Sequence, residues 1–355
     1  MIVRTSVRGL ATIAVLLLAY LLLWPVPIDP AAWTPPAAPE MTGVFEPNEL
    51  LASVERLGAG AGTGPEDVAV DDQGRIYGGM TDGRILRLQR DGSRPEVFAD
   101  TKGRPLGLHF DGAGNLVVAD AYKGLLSISP DGSITVLCTE ADGVPLRLTD
   151  DVDVAGDGII YFSDASYRFS LHDYILDALE HRPNGRLLAY DPATGSVRQL
   201  MGDLYFANGV AVSPDQSFVL VNESSRYRVQ RYWLRGSRQG ESEIFVENLP
   251  GIPDGISSNG RDGFWMALFA PRDPATDRML SRPFLRKVVA RLPAAFLPAT
   301  KRYGFVLGLD TKGRVVHNLQ DPSGSFAPIT SVQEHGGMLY LGSLSEAAIG
   351  RLPVP

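Results

Sequence analysis

Four side chains able to hold a hard cation recur at the head of a repeated phrase: Glu66, Asp150, Asn208 and Asp254. The phrase is clearest at ANGVAVSPD, Ala207 to Asp215, where Asn208 and Gly209 lead into the alternating run Val210-Ala211-Val212 and a turn at Ser213-Pro214-Asp215. It returns as EDVAVDDQG from Glu66, LGLHFDGAG from Leu106, DDVDVAGDG from Asp150, DGISSNGRDG from Asp254 and TSVQEHGG from Thr330. Aligned on the turn, Glu66, Leu106, Asp150, Asn208, Asp254 and Thr330 occupy one equivalent position. Three of these are carboxylates and one is an amide. Oxygen ligands converging with that much negative charge suit a divalent hard cation, and flexible mixed coordination suits Ca²⁺ better than Mg²⁺. No His or Cys stands at a ring position, which argues against zinc. The alternative is that these are strand-end polar residues facing solvent.

Apolar alternation ending in a Pro-Asp or Gly turn is a half-buried strand entering a hairpin. Each copy is followed by a second strand: IYGGM, LVVAD, IIYFSD, FVLVNE, FWMAL and MLYLGS. Six strand-turn-strand repeats predict an all-β, six-bladed β-propeller over 48–355. The first strand of each blade then lines a central channel, and the six equivalent positions form a ring at one mouth. The last blade supplies three strands, SVQEHG, MLYLGS and AIGRLPV, so part of Leu50 to Leu57 is expected to complete it.

The chain has 355 residues and a net charge of −8, with no basic stripe interleaved with aromatics, so nucleic acid is not an expected partner. A single cysteine, Cys138 in the strand ITVLC, excludes an intrachain disulfide and reads as a buried core thiol. Residues 1–8 carry Arg4 and Arg8, and 9–28 are apolar and long enough to predict one transmembrane anchor. The basic flank places the N-terminus in the cytoplasm and the propeller on the extracytoplasmic side. A cleaved signal peptide is the competing reading, without a convincing small-x-small site. The Pro- and Ala-rich stretch 29–47 reads as an extended linker.

Two insertions interrupt the blades. The first, near 165–185, has helical periodicity from Leu171 to Leu179. The second, 270–303, repeats Leu280, Phe284, Leu285, Val288, Val289 and Leu292 at helical spacing, with Arg282, Arg286, Lys287 and Arg291 between them. Pro283 must sit in a first turn and Pro293 ends the pattern. Segment 279–292 is either a helix packed on the propeller or a basic amphipathic element that meets anionic lipid or covers the channel mouth. Asn222-Glu223-Ser224 matches a glycosylation sequon.

Several longer motifs run in order along the chain: IYFSDAS at 160–166, GRLLAYDPATG at 185–195, ANGVAVSPDQSFVLVNE at 207–223, FVENLPGIPDGI at 245–256, SRPFLRK at 281–287 and VQEHGGMLYLGSL at 332–344. Together they resemble the strictosidine synthase-like and adipocyte plasma membrane-associated protein family of six-bladed calcium propellers. The wider superfamily includes gluconolactonases and paraoxonases, which hydrolyse esters or lactones at a central Ca²⁺. The resemblance implies Glu66, Asp150, Asn208 and Asp254 as metal ligands. It also exposes departures. The catalytic glutamate of the true synthases falls at Thr330, and the catalytic histidine of paraoxonase-like enzymes falls at Leu106 in Arg104-Pro105-Leu106-Gly107. Asp150 stands where the group usually has asparagine.

The expected activity is therefore Ca²⁺-dependent hydrolysis of a small carboxylic ester or lactone, slow and promiscuous, rather than amine–aldehyde condensation. Asp254 is the first candidate for general base or nucleophile and Asp150 the second, with Asp151 orienting its neighbour. Leu106, Thr330 and Asp151 are expected to border the substrate pocket. No G-x-S-x-G elbow is present, so a serine hydrolase has no support. The rival is a non-enzymatic, membrane-tethered binding propeller with a structural calcium.

Overall fold

The computed structural model describes residues 2–293, 296 and 300–355, with side chains from Thr12 onward. Among these, six four-stranded antiparallel sheets form the blades of a β-propeller. Their innermost strands are Val68–Val70, Pro105–Phe110, Thr149–Val154, Ala207–Val212, Gly251–Ser258 and Ser331–His335. Each touches the next around the ring, and the first touches the last. Closure follows the sequence expectation: Glu55–Leu57 pairs antiparallel with Ile349–Arg351, so both ends of the chain build blade six.

Alternating strand residues bury one sheet face against the next blade. Between blades four and five, Phe218 and Leu220 pack with Phe264, Met266 and Phe305. Turn carboxylates fix the hairpins, as when Asp111 Oδ1 accepts from the amides of Ala113 and Asn115. The inner strands approach so closely that glycine is required. A Cβ on Gly209 would lie 2.5 Å from the Asp254 carbonyl oxygen, and one on Gly255 would lie 2.6 Å from that of Thr330.

The remaining elements correct several expectations. Helix α1, Ile2–Leu23, stops short of 28 because Pro25 and Pro27 cannot extend it. Among the described residues no helix is long and apolar enough to cross a membrane, so the single-pass anchor at 9–28 gains no support. Residues after it do not hang free as a linker. Ala31 and Trp33 donate backbone hydrogen bonds to the carbonyls of Glu180 and Leu280, and Arg272 Nη2 donates to that of Pro36. The first insertion forms α2, Tyr174–Glu180. The second forms two helices instead of one, α3 at Pro274–Leu280 and α4 at Pro283–Val289. Pro283 starts the second, as its fixed φ and missing N–H allow. Part of that insertion, residues 294, 295 and 297–299, lies outside the described residues. The expected amphipathic split also fails locally, since Phe284 is exposed and Arg286 is fully buried. Cys138 is half-buried on an outermost strand, and burial pushes its thiol up to about 11.

Candidate functional site

The ring position acquires its chemistry from a backbone irregularity. In blades two to five the first strand pair shifts register across Pro105–Leu108, Thr149–Val152, Ala207–Val210 and Pro253–Ile256. Leu106, Asp150, Asn208 and Asp254 all fall inside these bulges, which re-aim side chains out of the sheet alternation. Leu106, Asp150, Asn208 and Asp254 thereby line one cavity of about 460 Å³, joined by Glu66, which lies two residues before the regular first strand of blade one. The four polar residues among them are each less than 10% exposed.

The rest of that cavity is largely apolar. Leu171, Tyr174 and Ala178 come from the blade-three insertion, Leu280 from α3, and Phe206, Ile252 and Phe269 from the propeller. Both insertions thus cover this mouth. Arg286 is the fastener: it donates to the carbonyls of Leu179, Glu180, Leu280 and Ala31, tying α4 to α2, α3 and the N-terminal segment.

Electrostatics set the floor apart from the walls. Burial, then the charges of Asp254 and Asp150, hold the Glu66 carboxyl well above its usual range. Burial, then Asp164, pushes Asp150 up to about 7, opposed by the Arg104 guanidinium. Asp254 is raised by burial and by Asp150, opposed by a hydrogen bond from Asn208. Asn222 Nδ2 donates to the Asp254 carbonyl at 2.5 Å and Ser224 Oγ to that of Pro253 at 2.6 Å, so the sequon is buried scaffolding for this strand. The Asn208 Oδ1 atom is buried without a partner.

Three mutually repelling buried carboxylates beside an orphan amide oxygen are a donor set that a hard divalent cation would relieve. Among the described residues no three His, Cys, Asp or Glu side chains form a metal-holding cluster by themselves. The fit therefore depends on the shared cavity and on Asn208.

Two expected pocket residues lie elsewhere. Thr330 is fully buried and does not line this cavity; its hydroxyl donates to the Glu66 carbonyl at 2.6 Å. Asp151 points the other way, into a cavity of about 290 Å³ lined also by Asp67, His109 and Asp153. There the carboxylates stitch neighbouring blades. Asp67 accepts from the Leu108 amide at 2.9 Å, Asp151 from Val210 at 2.7 Å and Asp153 from Val212 at 2.7 Å. Sequence reasoning missed His181, which lines the main cavity just beyond α2. Its only signal was a titratable residue inside an insertion.

The Strictosidine synthase family profile matches residues 150–237, and that for the N-terminal part of strictosidine synthase-like proteins matches 43–88. Protein STRICTOSIDINE SYNTHASE-LIKE 6 of Arabidopsis thaliana is 40% identical over 85% of this chain and 82% of its own length. The adipocyte plasma membrane-associated protein of Homo sapiens is 35% identical over 96% of this chain and 87% of its own. Among solved structures, a gluconolactonase from Xanthomonas campestris superposes with a TM-score of 0.62 at 19% identity, covering 93% of this chain and 99% of that one. Regucalcin from Agrobacterium tumefaciens, a calcium-binding protein, superposes at 0.59 with 15% identity, covering 84% and 95%. At these identities the structural likeness shows the fold.

Proposed function

The chain belongs to the strictosidine synthase-like family, and from that membership and its site we propose a calcium-dependent hydrolase of carboxylic esters or lactones. One juxtaposition carries the reading: Glu66, Asp150, Asn208 and Asp254 at the floor of an otherwise apolar cavity. A gluconolactonase and a calcium-binding regucalcin among proteins of the same fold are consistent with it.

Glu66, Asp150, Asn208 and Asp254 would hold Ca²⁺, which when bound supplies polarisation of the substrate carbonyl and neutralises charge developing on its oxygen. Asp254 is the candidate to take the proton from the attacking water, with Asp150 second. The walls formed by Phe206, Ile252, Phe269 and Leu280 bind the acyl or aryl group and exclude bulk water. Condensation of an amine with an aldehyde is disfavoured, because Thr330 has no carboxylate and its hydroxyl is already committed to Glu66.

A binding propeller with structural calcium is the second reading, favoured by Leu106 and Thr330, two of the six equivalent ring positions, which offer no carboxylate or imidazole for acid–base catalysis. Hydrolysis of phenyl acetate and a δ-lactone, with and without EDTA, separates the two. Turnover abolished by EDTA and restored by Ca²⁺ supports the enzyme, whereas calcium binding without turnover supports the module.

A membrane surface is the proposed second partner. Leu16, Leu17, Leu18 and Leu23 of α1 are exposed, as are Phe284 and Leu285 of α4. Tyr20 Oη donates to the Arg291 carbonyl at 3.1 Å and Arg291 Nη1 to that of Leu21 at 3.0 Å, holding the end of α1 beside segment 279–292.

A further inference from the structure

We propose that Arg226 and His181 form a carboxylate-recognising end of the main cavity, selecting esters or lactones that carry a second, anionic group. The inference rests on the reading of that cavity as the substrate site.

Arg226 ends the 3₁₀ turn Ser224–Arg226, between Ser225 and Tyr227, which both line the cavity. Its guanidinium carbon lies 3.7 Å from the ring centroid of Tyr205 and 4.5 Å from that of Trp33. His181 packs on the same two rings, stacked on Trp33 at 4.8 Å and tilted against Tyr205 at 5.2 Å. The four side chains form one cluster, assembled from the N-terminal segment and blades three and four, that reaches the cavity through His181 and lies behind the lining residues Phe206, Ser225 and Tyr227.

Two of its nitrogens, Arg226 Nε and His181 Nε2, are buried without a hydrogen-bond partner, and His181 is only 2% exposed. Among the described residues no carboxylate pairs with Arg226, although most other arginines around the cavity mouth are paired or bonded to carbonyls. Aromatic faces stabilise a guanidinium but leave its in-plane donors free. Buried donors without partners call for an explanation, and an acceptor arriving with the ligand provides one. The imidazole itself is held neutral, first by burial and then by the charges of Arg226 and Arg286, so it adds a donor or acceptor without adding charge.

The chemistry favours a carboxylate. A planar monoanion matches the guanidinium fork, and one cation beside a neutral imidazole balances one negative charge. A dianionic phosphate would be left half compensated above a floor that already holds Glu66, Asp150 and Asp254. The matching substrate has its ester or lactone carbonyl at that floor, an aliphatic stretch along Leu106, Phe206 and Ile252, and a carboxylate against Arg226. Monoesters of short dicarboxylic acids are the simplest members of this class.

The test uses the full chain with Ca²⁺ and two esters of equal acyl length, mono-p-nitrophenyl glutarate and p-nitrophenyl valerate. Arg226→Gln is expected to raise the ratio of KM for the glutarate ester to KM for the valerate ester by roughly 10- to 100-fold, the loss of a charge-assisted hydrogen bond. Arg226→Lys is expected to recover part of it, and His181→Phe to raise the same ratio by a smaller factor. A ratio unmoved by Arg226→Gln overturns the subsite. Should Arg226→Gln fail to fold, the ratios for Arg226→Lys and His181→Phe decide in the same way. If wild-type protein hydrolyses neither ester, the hydrolase reading fails, and calorimetry with 4-phenylbutyrate and 4-phenylbutyramide tests the subsite separately. Preference for the carboxylate that Arg226→Gln removes upholds it; equal binding of the two overturns it.

Discussion

Arg286 Nη1 donates to the Leu179 carbonyl at 3.0 Å, joining the blade-five insertion to the blade-three insertion across the mouth of the main cavity. The same guanidinium reaches the carbonyls of Leu280 and Ala31, yet no carboxylate pairs with it among the described residues. One fully buried cation therefore holds three distant chain segments by their backbones, with carbonyl dipoles in place of a counterion.

Replacing it should loosen the cover before the propeller. Arg286→Met removes charge-assisted hydrogen bonds and leaves buried carbonyls unpaired, a loss of about 3 kcal/mol. Limited digestion with proteinase K, which needs no basic residue, should cut the segments around 25–40 and 165–185 sooner than in the wild type, with a lowered melting temperature. Unchanged digestion would show that apolar packing alone holds the cover.

The metal reading predicts calcium affinity that depends on the ring. Calorimetric titration should give Ca²⁺ binding that weakens roughly tenfold or more in Glu66→Gln and in Asp254→Asn, since each removes one charged ligand. Asp254→Asn should also abolish turnover of phenyl acetate. Hydrolysis that survives EDTA would sink the calcium mechanism.

Gly209 offers a test of position without touching a ligand side chain. A Cβ there meets the Asp254 carbonyl oxygen and the Ile256 amide nitrogen, each at 2.5 Å. Gly209→Ala should force the innermost strands of blades four and five apart, costing about 1–3 kcal/mol and weakening Ca²⁺ binding. Wild-type affinity in this variant would show that the bulges tolerate the shift.

Asp177 should give stability a specific pH dependence. It accepts hydrogen bonds from Ser166 Oγ and Asn184 Nδ2, but burial pushes its carboxyl up to about 6 from 3.8. A folded-state pKa raised above the unfolded value means that folding favours the protonated form. The associated stability is present below pH 3.8 and lost as pH rises through 6, leaving a cost of about 3 kcal/mol at neutral pH. Asp177→Asn should therefore gain stability relative to wild type between pH 4 and pH 7, measured by urea unfolding at each pH. A gap between the two proteins that does not widen over that interval would refute the assignment.

The membrane contact is checked by flotation with vesicles containing phosphatidylserine. Wild-type protein should float with them, and Phe284→Asp combined with Leu285→Asp should reduce the floating fraction. Equal flotation would remove segment 279–292 from the contact.

The sequence by itself determined the propeller. Strand alternation has a period of two and hairpin turns have strict residue preferences, so EDVAV, DDVDV and ANGVAV announce the same unit wherever they occur. The same local logic exposed the missing strand of blade six, supplied by Glu55–Leu57. It also picked out Glu66, Asp150, Asn208 and Asp254, four of six equivalent repeat positions, which line one mouth although Thr330 at the sixth does not. Tertiary structure decided the rest. Asp150 and Asp151 are adjacent and chemically alike, and only the bulge between Thr149 and Val152 sends one into each cavity. Pro283 permitted a first turn, but the break before it depends on α3 and α4 packing separately over the mouth. Trp33, His181, Tyr205 and Arg226 meet from segments far apart in the chain, and no period relates them. Local pattern encodes elements that hydrogen-bond to themselves. Side chains that meet only because a ring has closed leave no such period to read.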